Sequence, residues 1–261
     1  MPPASSDEST FFAFAAAAVT VGVLLSYATT VAIFGRPSVS RLDGEPGTVL
    51  LGRFPIEAFH WAARGIGRAV VRTGVSADTL TWLSLVFSAF TVPLAATGRF
   101  EWAGGFLLAG SALDALDGIV ARSRGAASDA GEMLDATIDR YADAFGFIGL
   151  ALFYRDSSWR LAIVLAAVVG SMMVSYVRAK GDALGVELTP GFMRRPERIA
   201  YLSAALLFGP VLSSWVLPSD PTRPITLWIV AGIAALANAA AFRLLVQARA
   251  RLRQKHGSET S

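Results

Sequence analysis

Seven of the 20 carboxylates in this 261-residue chain fall between Asp114 and Asp143. Their spacing is helical. Asp114, Asp117, Gly118, Ala121 and Arg122 stand at i, i+3, i+4, i+7 and i+8, which is one stripe of an α-helix. Leu113, Leu116, Ile119 and Val120 fill the opposite face, suited to lipid or core. Further on, Gly131, Asp135, Asp139 and Asp143 recur every four residues, again on one face. The short basic segment 123–130 joins the two stripes, so the helices are expected to be antiparallel neighbours with both stripes at the same end. Carboxylates facing one another at low dielectric repel, so they either stay protonated or are compensated by cations. Hard oxygen ligands on two helices suit Mg²⁺ or Mn²⁺. Two such ions sharing carboxylates would make a phosphoryl-transfer site. Gly118 and Ala121 leave room beside the acids, and Arg122 offers a planar fork to a phosphate.

The elements that must hold these acids are membrane helices. Apolar residues make up 54% of the chain and charged residues only 16%, against about 25% charged in ordinary globular proteins. Mean hydropathy is +0.51. The apolar residues come in blocks about 20 long, the length that spans a bilayer. Seven spans are expected, at 11–34, 77–98, 103–122, 131–153, 159–179, 199–217 and 225–246. The acidic stripes lie on the third and fourth. An ionisable group inside such a span is expensive and marks function by default. A soluble enzyme and a disordered chain are both excluded by this composition. The chain has no cysteine, which excludes disulfides and thiolate chemistry. The first span follows an acidic flank with Asp7 and Glu8 and no Lys or Arg, so it reads as an uncleaved span rather than a signal peptide.

Charge sets the orientation. Of 23 Lys and Arg, only Arg99, Arg155, Arg160 and Arg223 fall on one side, and the other 19 lie on or near the opposite side. The basic side is expected to be cytoplasmic, with the N-terminus outside and the carboxylates and C-terminus inside. Between the first two spans, Ile56, Phe59, Ala63, Ile66 and Val70 recur at helical spacing, with His60, Arg64, Arg68 and Arg72 on another face. This predicts an amphipathic helix lying in the interface. The domain plan is then 1–53 for the first span and linker, 54–74 for the interfacial helix, 75–248 for a six-helix core, and 249–261 for a basic tail. Ser76 reads as a helix N-cap. Thr79 and Thr81 could reach a nucleotide, although hydroxyls in membrane helices usually bond their own backbone.

The pattern Asp114-x2-Asp117-Gly118-x2-Ala121-Arg122-x8-Gly131-x3-Asp135-x3-Asp139 resembles the signature of the CDP-alcohol phosphotransferases at all eight fixed positions. The resemblance covers roughly 54–246. It implies an all-α integral membrane protein with a six-helix catalytic core and a preceding interfacial helix; the span at 11–34 is extra to that plan. It further implies transfer of a substituted phosphate from a CDP-linked donor, such as CDP-diacylglycerol, to an alcohol, with release of CMP. By the same resemblance, Asp114, Asp117, Asp135 and Asp139 would hold two divalent cations, Mg²⁺ or Mn²⁺. Asp139 would also be the general base. Gly118, Arg122 and Gly131 would border the CDP moiety. Homodimers in the bacterial plasma membrane are implied as well, with no role for nucleic acid.

A second basic region bears on the acceptor alcohol. Residues 175–180 (SYVRAK) and 191–198 (GFMRRPER) resemble stretches of bacterial phosphatidylinositol-phosphate synthases, as does Asp139-Arg140 followed by Tyr141-Ala142-Asp143. Arg178, Lys180, Arg195 and Arg198 would then form a pocket for an acceptor phosphate, since arginine pairs bind phosphate well. An inositol phosphate is the expected acceptor. Glycerol 3-phosphate needs similar residues and stays open, and the positive-inside rule alone accounts for basic residues here. A proton- or cation-coupled transporter also uses buried carboxylates. Its site commonly sits near the midplane between internal repeats, and neither feature is visible in this chain.

Overall fold

The computed structural model describes residues 6–35, 52–125, 128–189 and 191–259, and among them it is all-helical. The elements are α1 (Ser6–Phe34), α2 (Phe54–Arg72), α3 (Ala77–Ala96), α4 (Phe100–Ser123), α5 (Asp129–Phe153), α6 (Ser158–Ala183), α7 (Arg195–Val216) and α8 (Pro224–Glu259). Most of the linker expected between the first span and the interfacial helix lies outside the described residues.

Six of these helices are long and apolar enough to cross a membrane: Thr10–Phe34, Ala77–Ala96, Phe100–Ser123, Ser158–Ala183, Arg195–Val216 and Pro224–Lys255. The expected seventh, α5, forms over the anticipated stretch but is too polar to count by composition. Even its last 18 residues, 136–153, carry Asp139, Arg140 and Asp143. It still packs into the bundle, with Ile138, Ala142, Gly146, Phe147, Gly149 and Leu150 buried.

α3 packs against both α4 and α5, α6 against α8, and α7 against both α4 and α8. α4 and α5 touch each other far less than each touches α3. The acidic stripes therefore border an opening rather than a tight helix pair. Small residues let α3 hold both partners closely. A Cβ at Gly149 would lie 2.9 Å from the Val92 carbonyl oxygen, and one at Gly110 would lie 3.0 Å from that of Ser84. Such contacts are how membrane helices associate when the solvent is as apolar as their side chains. The main core joins Phe100, Leu107, Phe147, Val164, Leu206 and Val230. The turn from α3 to α4 is short because Gly98 takes a left-handed φ of 78° and closes the helix, its N–H reaching the Ala95 carbonyl at 3.0 Å.

α2 forms at the expected place, but only part of its apolar stripe is buried. Ala63 and Gly67 pack against α4, where a Cβ at Gly67 would meet Ile119 Cγ2 at 2.8 Å. Phe59 and Ile66 stay exposed, as suits a helix whose outer face meets lipid. A second cluster of Ala63, Leu80, Ala115, Leu116 and Val120 ties α2, α3 and α4 together below the acids. The extra helix α1 docks on α2, α4 and α7. The basic run from Arg249 to Lys255, expected as a tail, continues α8. Its Ala, Arg, Leu, Gln and Lys residues are good helix formers with no break before Gly257.

Candidate active site

The acidic stripes converge. Asp114 on α4 and Asp135 and Asp139 on α5 each direct a carboxylate oxygen to a common point, all within 4.8 Å of one another. Asp117, one turn further along α4, is buried beside them and accepts a 2.6 Å hydrogen bond from Thr81 Oγ1. That hydroxyl also lies 3.1 Å from the Ala77 carbonyl. It thus bridges helix backbone and acid, a role that proximity in sequence did not reveal. α3 is set for this by its cap: Ser76 Oγ accepts the Thr79 N–H at 3.1 Å.

Two arginines from the start of α7 reach into the same opening. Arg195 Nη1 lies 2.7 Å from Asp114 Oδ2, Nη2 lies 2.8 Å from Asp139 Oδ1, and Nε lies 3.4 Å from Asp143 Oδ1. Arg198 is almost fully buried. It pairs with Asp143 Oδ2, donates to Ser175 Oγ at 3.1 Å and donates to the Met193 carbonyl at 3.0 Å. The spacing i, i+3 puts both guanidinium groups on one face of α7. Local structure fixes where that face begins. Met193 takes a left-handed φ of 58°, uncommon for a side-chain-bearing residue, and is fully buried. The Glu197 carboxylate accepts the Arg194 N–H at 3.0 Å and closes the helix start.

The other sequence-selected residues are distributed around this centre. A Cβ on Gly118 would lie 3.1 Å from Arg122 Nη1, so the absent side chain lets that guanidinium fold back along α4. Gly131 lies in the first turn of α5 and gives its N–H to Ser128 Oγ at 3.2 Å. Arg178 is half-buried on α6, one turn beyond Ser175, whereas Lys180 is exposed and off that face. Ser175 is what joins the two basic stretches, through its contact with Arg198. Asp143, outside the eight-position pattern, proves to be the residue both arginines share. Its place on the acidic stripe was the one sequence feature that could have found it.

The donor set fits a hard divalent cation. It offers carboxylate oxygens converging from two helices, and Asp114 Oδ1 is buried with no hydrogen bond among the described residues. Thr81 holds Asp117 in the way that outer hydrogen bonds orient metal-binding carboxylates.

A helical membrane protein with an oxygen-rich acidic centre beside a basic helix start has the parts of a phosphoryl-transfer site. The chain belongs to the CDP-alcohol phosphatidyltransferase family, whose profile matches residues 75–236. The phosphatidylinositol phosphate synthase of Mycobacteroides abscessus is 33% identical over 156 residues, 58% of this chain and 71% of that one. The crystal structure of the Mycobacterium tuberculosis phosphatidylinositol phosphate synthase with CDP-diacylglycerol bound superposes with a TM-score of 0.61 at 27% identity. It covers 71% of this chain and 92% of that one. The same synthase in complex with manganese and citrate gives a TM-score of 0.58 at 26% identity, covering 70% and 88%. The chain is therefore an integral membrane transferase of a metal-dependent family that uses CDP-linked donors, and not a transporter.

Proposed function

We propose that this chain transfers the phosphatidyl group of CDP-diacylglycerol to a hydroxyl of an inositol phosphate and releases CMP. Asp114, Asp117, Asp135 and Asp139 would hold two divalent cations, Mg²⁺ or Mn²⁺, which when bound offset the charge of the diphosphate and of the departing CMP. The observation that carries the reading is Arg195, 2.8 Å from Asp139 and 2.7 Å from Asp114. An acceptor phosphate held by that guanidinium leaves the acceptor hydroxyl beside the Asp139 carboxylate. Asp139 takes the hydroxyl proton as the oxygen attacks the phosphorus bearing the diacylglycerol. The new P–O bond forms as the bond to CMP breaks, and CMP leaves with the electron pair. Arg122, folded along Gly118, faces the donor's phosphates, with Gly131 opposite. Arg178 supplies further positive charge to the acceptor side, whereas Lys180 points away from it. The names of the relatives favour inositol phosphate over glycerol 3-phosphate.

The catalytic unit is the core 75–248. Its acidic centre and C-terminus face the cytoplasm and the N-terminus lies outside, supported by the 19 basic residues gathered at that end. The working form is a homodimer in the bacterial plasma membrane.

The test uses purified full-length protein with CDP-diacylglycerol, Mg²⁺ or Mn²⁺, and inositol 1-phosphate, glycerol 3-phosphate, serine or inositol in separate reactions. CMP release is the readout and Asp135→Asn the blank. Release with inositol phosphate alone is expected. Release with glycerol 3-phosphate alone would overturn the acceptor and leave the mechanism standing.

A further inference from the structure

A second acid is buried at the opposite end of α4 from the catalytic cluster. Glu101 is 1% exposed, and among the described residues neither Oε1 nor Oε2 has a hydrogen-bond partner. Thirteen residues of helix separate it from Asp114, about 20 Å at 1.5 Å per residue. Its place in the first turn of α4 lets the helix dipole favour its charge. That alone does not satisfy two buried oxygens, because a buried carboxylate demands donors or a counter-charge.

Glu101 lines a cavity of about 390 Å³ between α1 and α4, within the range of about 300–1,000 Å³ typical of ligand sites. The walls are apolar, with Phe12 and Val19 from α1 and Phe106 and Leu108 from α4. Trp102 stands next to the acid, its ring centroid 4.4 Å from that of Phe12. The other polar wall residue, Thr20, already gives its hydroxyl to the Ala16 carbonyl at 2.8 Å. Glu101 is thus the one charged side chain among the described residues lining a greasy slot between two helices apolar enough to span a membrane.

We propose that this cavity binds a membrane lipid whose headgroup carries a protonated primary amine, with the ammonium on Glu101 and an acyl chain along Val19, Phe106 and Leu108. The slot lies between membrane-spanning helices, so an amphiphile reaches it from the bilayer. An ammonium supplies three donors and a full positive charge to two unpartnered acceptor oxygens. A hydroxyl headgroup supplies one donor and no charge, and a phosphate monoester is repelled. The Trp102 face adds a favourable surface for a cation. Bound there, the lipid would hold α1, the helix that the six-helix core does not require, against α4.

Native mass spectrometry of the full-length protein tests this, with phosphatidylethanolamine, N-acetylated phosphatidylethanolamine and phosphatidylglycerol of identical acyl chains. Phosphatidylethanolamine is expected to bind about tenfold more tightly than either of the others, the scale of one hydrogen bond to a charged group. Glu101→Gln should erase that preference. Gly105→Leu should abolish binding by filling the slot, since a Cβ at Gly105 meets nothing within 4 Å. Both variants should retain metal-dependent CMP release, which reports that they fold. Should Glu101→Gln fail to fold, Gly105→Leu decides, because it leaves the acid in place. Equal binding of all three lipids, or a preference that survives either folded variant, would overturn the proposal.

Discussion

Arg195 Nη1 stands 2.7 Å from Asp114 Oδ2, joining residues 81 positions apart across the mouth of the acidic centre. The same guanidinium reaches Asp139 Oδ1 at 2.8 Å. One cationic side chain is therefore shared by two carboxylates that face a common point with Asp135. A guanidinium and a divalent cation compete for such oxygens, whereas a guanidinium and an acceptor phosphate attract. On the proposed acceptor reading, Arg195 would leave the acids for the phosphate as the site fills.

Arg195→Gln separates these two roles. The acceptor KM is expected to rise about 10- to 100-fold, corresponding to about 1.5–3 kcal/mol for a hydrogen bond to a charged group. Mn²⁺ affinity, measured by electron paramagnetic resonance without substrates, is expected to tighten because a competing positive charge is gone. Weaker Mn²⁺ binding with an unchanged acceptor KM would make Arg195 a brace for the acids instead.

Asp143 and Arg198 form the buried pair behind this switch, at 5% and 3% exposure. Removing one partner strands a charge, which typically costs about 3–5 kcal/mol. Asp143→Asn should therefore lower the thermal unfolding midpoint sharply. Asp143→Leu combined with Arg198→Met should recover much of that loss, because no charge is then left uncompensated. Catalysis should stay impaired in the double variant, since Asp143 also holds Arg195 Nε at 3.4 Å. Full activity in the stable double variant would sink the positioning role.

The acidic centre was legible because helix periodicity converts spacing directly into a face. Asp114 and Asp117 on one stripe, and Asp135, Asp139 and Asp143 on the other, needed no tertiary information. The Arg195 contact was not legible in geometry, since it depends on how α7 enters the bundle. That entrance turns on Met193 in a left-handed conformation and on the Glu197 cap, both local choices without a strong sequence pattern. Adjacency in sequence made α4 and α5 neighbours, and their acids do converge, but Gly110 and Gly149 give α3 the closest contacts with both. Composition gave the apolar helices readily and failed for α5, whose chemistry displaces the hydropathy that would mark it.

Thr81→Val removes one donor while keeping shape. Asp117 Oδ2 loses its 2.6 Å hydrogen bond and its orientation. Loss of such an outer partner weakens metal binding about 10- to 100-fold. A Mn²⁺ titration should show this weakening, and CMP release should require correspondingly more metal. Unchanged metal dependence would mean that the backbone and helix packing alone orient Asp117.

Tyr27→Phe tests what α1 does for the core. The Tyr27 ring is fully buried and lies 5.2 Å from Phe54 and 6.0 Å from Trp61, centroid to centroid. Its hydroxyl donates to Glu57 Oε2 at 2.9 Å, and Arg53 Nε lies 3.5 Å from the other oxygen. Phenylalanine keeps the ring and leaves Glu57 short of one donor, a loss of about 1–3 kcal/mol. That loss should appear as more frequent local opening between α1 and α2. The chain has no cysteine, so one introduced at buried Ala58 reports the opening alone. Its labelling by a maleimide is expected to speed up about tenfold in the Tyr27→Phe background. The kcat should hold, because Tyr27 acts on α2 and its hydroxyl pairs with Glu57 rather than with the acidic centre. A fall in kcat with unchanged labelling would instead tie α1 to the chemistry.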